Sequence, residues 1–140
     1  MMLRILRATT RDRLRPTVRR LIADVVSDGA GAPLAGAEHV DAAAEDLLSH
    51  IGGMAPHVAT GMAALTLSFD GYCTGRGAGR RFHELDLETR RACFDAWRKL
   101  PGPLKSWTLF YEKMGTFSYW AVVEGARHGH SGATERGGPA

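Results

Sequence analysis

Apolar residues recur every three to four positions in five blocks of this chain, and glycine or proline separates most of them, which confines the fold to packed helices. Val40, Ala43, Ala44, Leu47, Leu48 and Ile51 follow the spacing until Gly52-Gly53 stops it. Val58, Met62, Leu65, Phe69 and Tyr72 form a third helical stripe that starts at about Pro56 and runs into the glycine loop CTGRGAGRR. Asp86 is a natural N-cap for a helix carrying Leu87, Cys93, Phe94, Trp97 and Leu100, which Pro101-Gly102-Pro103 ends. The last block predicts a helix over roughly Leu104 to Glu124. In the first block, Leu14, Val18, Leu21, Ile22, Val25 and Val26 share one helical face. Pro16 disfavours a helix interior, so regular helix is expected from near Leu14, after a flexible N-terminus over 1–9. The Gly-rich segment 125–140 is expected to be a disordered tail. No stretch alternates like a strand and no repeat is visible. The expectation is an all-α fold: a small bundle of about five helices forming one domain over 10–124, with flexible N- and C-terminal tails.

A chain of 140 residues can hold such a fold on its hydrophobic core alone. Its two cysteines, Cys73 and Cys93, are too few for a disulfide scaffold or a thiolate-rich structural zinc site, and they point to a reduced, cytoplasmic setting. No apolar run reaches the ~18 residues of a membrane span. The formal charge of +3 is concentrated at one end, where Arg4, Arg7, Arg11, Arg13, Arg15, Arg19 and Arg20 stand beside the single acid Asp12. Because these arginines share a segment with an apolar stripe, they read first as the solvated face of the first helix. Contact with an anionic partner, as in a basic helical nucleic-acid-binding module, is the alternative. An export signal does not fit, because the apolar stretch after Arg19-Arg20 is short and carries Asp24.

The candidates for chemistry are sparse. Gly75-Arg76-Gly77-Ala78-Gly79-Arg80 has neither the spacing nor the preceding strand of a dinucleotide cradle, so it reads as a connector whose Arg76, Arg80 and Arg81 are available to an acidic partner. His128 and His130 lie in the expected tail without a third donor, and His50 and His57 flank Gly52-Gly53 without acids or thiols at ligand spacing. Cys73 has no evident base beside it and reads as a structural thiol. No catalytic, cofactor-binding or metal-binding residue is therefore assigned.

The last helix is the unusual element. Six of the chain's aromatic residues, Trp107, Phe110, Tyr111, Phe117, Tyr119 and Trp120, fall within it, and its apolar arc from Phe117 through Tyr111 to Thr108 spans about 180°, wider than the ~100° that one core contact needs. Either this helix is central and wrapped on both sides, or part of it meets another protein. Trp107, Phe110, Tyr111, Phe117, Tyr119 and Trp120, with Arg76, Arg80 and Arg81, are the candidate partner interface.

The order of these segments, RDRLRPTVRRLIADVVSDGAGAP, LTLSFDGY, GRRFHELDLETRRACFDAW and WTLFYEKMGTFSYW, resembles the small subunit (subunit 3) of membrane-type gluconate 2-dehydrogenase over roughly residues 10 to 120. The resemblance is carried by Gly79, Phe82, Leu85 and Arg90, and by Phe110-Tyr111. It implies a non-catalytic accessory subunit of a heteromeric oxidoreductase complex. The partner would be a large flavoprotein subunit of the glucose-methanol-choline type, which holds the FAD, with no cofactor in this chain. Family members typically carry a twin-arginine signal; this chain shows none, so the expectation is a cytoplasmic complex.

Overall fold

The structure, a computed structural model, describes the backbone of residues 2–28 and 32–136 and the side chains of 9–28 and 32–127. Among these residues the chain forms five α-helices and no strand: α1 (Met2–Val25), α2 (Val40–Gly52), α3 (Pro56–Arg76), α4 (Leu87–Arg98) and α5 (Leu104–Arg136). Short 3-10 turns at Ala37–His39 and Phe82–Glu84 lead into α2 and α4. The all-α bundle expected from the periodicity is the fold observed.

Local chemistry sets most boundaries. Pro56 opens α3 at its first turn, where a missing N–H costs nothing. Asp86 caps α4 by accepting a bond from the Thr89 amide at 3.2 Å, and hydrogen bonds from the Thr89 side chain and then its amide hold the carboxyl below its ordinary pKa. Gly102 adopts φ 95°, and the Pro-Gly-Pro segment turns the chain from α4 into α5. Two helices run further than the sequence predicts. The first is already helical at Met2 and passes through Pro16. Proline costs about 3 kcal/mol inside a helix, but burial of Leu14, Val18 and Leu21 on the same element, at about 1.5–3 kcal/mol each, outweighs it. The backbone of α5 continues past Glu124 to Arg136. The expected tails, 1–9 and 125–140, fall largely outside the residues whose side chains are described, as does the His128/His130 pair.

One core binds all five helices. It is built from Val18, Leu21 and Ile22 of α1, Leu47 and Leu48 of α2, Phe69 and Cys73 of α3, Cys93 and Trp97 of α4, and Trp107, Tyr111 and Tyr119 of α5. The helix α5 packs against each of the other four. Gly115 faces α1, where a Cβ would make an ordinary contact with the Ile22 side chain at 3.5 Å. Phe69 is the aromatic hub: its ring meets Trp107 at 4.8 Å, Phe82 at 4.9 Å and Trp97 at 5.5 Å between centroids.

Candidate partner interface

The wide apolar arc of α5 divides into a covered part and an uncovered rim. Trp107, Tyr111 and Tyr119 are fully buried. Their polar ends are satisfied inside the chain: Trp107 Nε1 donates to Thr66 Oγ1 at 3.1 Å, and Thr66 Oγ1 lies 2.8 Å from the Tyr111 hydroxyl. Burial pushes the Tyr111 phenol well above its ordinary pKa. The Tyr119 hydroxyl donates to the Gly36 carbonyl at 3.0 Å and accepts from the Ala35 amide at 2.8 Å, which fixes the connection between α1 and α2. These three aromatics therefore leave the candidate interface, because α5 is wrapped by its neighbours along that side.

The rim is different. Phe110 and Trp120 are half-buried, whereas Phe117 is 62% exposed. Phe110, Met114, Phe117 and Ala121 stand at i, i+4, i+7 and i+11 and so share one edge of the helix. Leu109 is also exposed, among Lys105, Glu112 and Lys113. On another side, Trp120 lines an open groove with Leu34, Ala35, His39, Val123, Ala126 and Arg127, and Leu34 is 61% exposed there.

The arginines of the glycine loop do not act as one patch. Arg76 is held by its own helix, donating to the Tyr72 hydroxyl at 2.6 Å with its guanidinium 5.5 Å above the Tyr72 ring. Arg80 is exposed. Arg81 is turned inward: its Nε meets Asp70 Oδ2 at 2.6 Å and its Nη2 donates to the Arg13 carbonyl at 3.0 Å. It ties α3 to α1 and is withdrawn from the candidate interface for that reason. Asp70 also accepts from the Phe82 amide at 3.0 Å, so a single carboxylate anchors the entry to α4.

A second internal lock was not foreseen from the sequence. Arg90 is buried and donates to Asp24 through Nε at 2.8 Å and Nη2 at 3.1 Å, and to the Leu85 carbonyl through Nη1. Asp24 is also bonded by Arg20 at 3.2 Å. Phe82 and Leu85 are buried beside this pair. The spacing of Phe82, Leu85 and Arg90 thus serves to fasten the turn and α4 onto α1. Asp24, Val25, Phe94, Arg91, Glu112 and Thr116 border a cleft of about 430 Å³ over this lock.

The basic face of α1 is engaged as well. Arg11 meets Glu45 at 2.9 Å, and Arg15 bonds both Glu45 and Asp12. Arg19 meets Asp41 at 2.5 Å. Three of the arginines read as a solvated face, Arg11, Arg15 and Arg19, thus latch α1 to α2 through ion pairs that remain partly exposed to solvent. Hydrogen bonds from Arg15 and then Arg11 hold the Glu45 carboxyl below its ordinary pKa. Of the histidines, His50 lies 3.4 Å from Asp46 and His57 is exposed. No group of three or more His, Cys, Asp or Glu converges on a metal position among the described residues. None of the helices among them is long and apolar enough to cross a membrane.

No family model, curated protein or solved structure matches the chain.

Proposed function

We propose that this chain is a non-catalytic small accessory subunit that binds and stabilises a flavin-dependent oxidoreductase large subunit, in a cytoplasmic complex where the large chain holds the FAD. The observation that carries the reading is the uncovered apolar rim of α5, with Phe117 62% exposed although the same helix already supplies much of the core. Large exposed aromatics beside half-buried ones are the composition that interface centres enrich. The segment order that resembles the gluconate 2-dehydrogenase small subunit names the class of partner. In this reading Phe110, Phe117 and Trp120 make the contact, and Arg80 is the loop cation left to meet an acidic rim.

Co-expression with a glucose-methanol-choline type flavoprotein encoded beside this chain tests it. The expected result is co-elution of the two chains and a rise in the yield and flavin content of the large one. Separate elution, with flavin content and activity indifferent to this chain, refutes the proposal. Phe117→Asp locates the contact: it should break the complex and leave the helical content of the small chain unchanged.

A further inference from the structure

The chain's only two cysteines come from different helices and meet in the core. Cys73 and Cys93 are 0% and 1% exposed, and both belong to the single hydrophobic cluster. Their juxtaposition follows from how α3 and α4 pack. Phe69 meets Trp97 edge to face at 5.5 Å, and Gly77 faces Leu85 so closely that a Cβ on it would lie 2.5 Å from the leucine side chain. Later residues of α3 therefore meet earlier residues ahead of and along α4, which means the two helices run in opposite directions. One turn beyond Phe69 is Cys73, and one turn before Trp97 is Cys93, so the pair forms the next layer of the same contact. After burial itself, Cys93 is the largest influence raising the Cys73 thiol, as expected of two facing sulfurs. Helix axes about 8–10 Å apart, with Cα atoms about 2.3 Å from each axis, leave facing Cα atoms about 3.4–5.4 Å apart, a range that overlaps the about 4.4–6.8 Å a disulfide requires.

We propose that Cys73 and Cys93 are an oxidisable staple, reduced in the resting fold and able to join α3 to α4 as a disulfide when a low-molecular-weight disulfide is supplied. One cysteine thiolate attacks a sulfur of the reagent RSSR, breaking its S–S bond and releasing RS⁻, which takes up a proton. The other cysteine loses its proton to solvent and attacks the protein-bound sulfur, forming the Cys73–Cys93 bond and releasing the second RSH. Two thiols lose two electrons and two protons, and RSSR becomes two RSH.

Access sets the conditions. With both sulfurs buried and the Cys73 thiol held protonated, the closed bundle resists attack. The helix α4 has only 12 residues and is bracketed by the turn at Ala78 and Gly79, both at positive φ, and by the Pro101-Gly102-Pro103 break. Its lifting from α3 is the opening that admits the oxidant, so the staple records excursions of this helix and then prevents them.

The test is incubation of the full chain with oxidised glutathione at pH 8, with and without urea below the unfolding midpoint, followed by mass spectrometry and thermal melts. The expected product is a monomer lighter by two hydrogens whose cleaved peptides remain joined through Cys73 and Cys93, formed faster in urea. Closing a loop of about 20 residues should raise Tm by about 7–13 °C, and dithiothreitol should reverse the rise. Cys73→Ser should instead trap a stable glutathione adduct at Cys93. Persistent adducts on both wild-type cysteines, disulfide-linked dimers, no reaction in urea, or a bridged monomer that melts lower would each overturn the proposal.

Discussion

Replacing Arg90 by methionine should be among the most damaging single changes that leave the core's apolar volume intact. The substitution keeps an unbranched apolar side chain and removes the guanidinium, which makes two bonds to Asp24 and one to the Leu85 carbonyl. What remains is a carboxylate only 16% exposed, with Arg20 as its surviving partner. Breaking a buried ion pair from one side costs about 3–5 kcal/mol. The Arg20 contact and the partial exposure of Asp24 lower this to about 2–4 kcal/mol. A chain of this length unfolds with an entropy of about 0.3 kcal/mol/K, so Tm should fall by roughly 7–13 °C. Arg90→Lys keeps the charge but not the fork that reaches both Asp24 oxygens and the carbonyl, and should lose about half as much.

The decisive variant is the double replacement Asp24→Leu with Arg90→Met. If the loss in Arg90→Met comes from a stranded charge, removing that charge should recover most of it, because a well-packed apolar pair can equal a buried ion pair. Urea unfolding followed by circular dichroism gives the three free energies of the cycle. A fall in Tm under 2 °C for Arg90→Met, or a double variant whose loss equals the sum of the two single losses, would refute the assignment of Arg90 as a lock between α1 and α4.

Three further expectations follow from separate contacts. Thr66→Val removes the hydroxyl shared by Trp107 and Tyr111 and strands two fully buried polar groups, so it should cost about 2–4 kcal/mol in chemical denaturation, whereas Thr66→Ser should cost about 1 kcal/mol. Gly77→Ala should destabilise by about 1–3 kcal/mol by driving a methyl into Leu85, and shortening the blocker in Gly77→Ala with Leu85→Val should relieve part of that clash in the same assay. For Glu45, the carboxyl is held down by Arg15 and Arg11 in the folded state. Its contribution is therefore present above the unfolded value of about 4.3 and lost as pH falls through the lower folded value. The pair is 44% exposed on the glutamate side, so Glu45→Gln should cost under about 1 kcal/mol at pH 7, and the difference from wild type should diminish as pH falls below the unfolded value and shrink in 1 M NaCl.

What the sequence reveals and what it hides divide along a physical line. Caps and breakers act within a few residues, so Asp86, Pro56, Gly52 and the Pro-Gly-Pro segment announce α2, α3 and α4 nearly to their observed ends. Pro16 misleads because its local penalty is opposed by tertiary burial of Leu14 and Val18, which no local signal records. The candidate interface was blurred for a related reason. Placing the residues of α5 at 100° steps locates an apolar arc, but which part of it a neighbour covers depends on where α1, α2, α3 and α4 lie around the helix. The observed cover runs from Trp107 through Tyr111 and Tyr119 to Val123, so one side of the arc is spent internally while Phe110 and Phe117 are left at its edge.

The charged residues carry the same lesson with the opposite outcome. Arg81, Arg90, Arg11 and Arg15 look interchangeable in a basic sequence, because the acids that bind them, Asp70, Asp24 and Glu45, are 11 to 66 positions away or more than a helix apart. Only folding brings these carboxylates to their arginines. Once those pairs are made, the exposed phenylalanine edge of α5 and the groove at Leu34 and Trp120 remain open among the described residues. In the reading proposed above, pairing Arg81 and Arg90 within the chain while Phe117 stays outward favours an apolar protein face over a phosphate backbone. This is why losing the complex through Phe117→Asp would count more for the accessory-subunit reading than any effect of truncating the basic N-terminus.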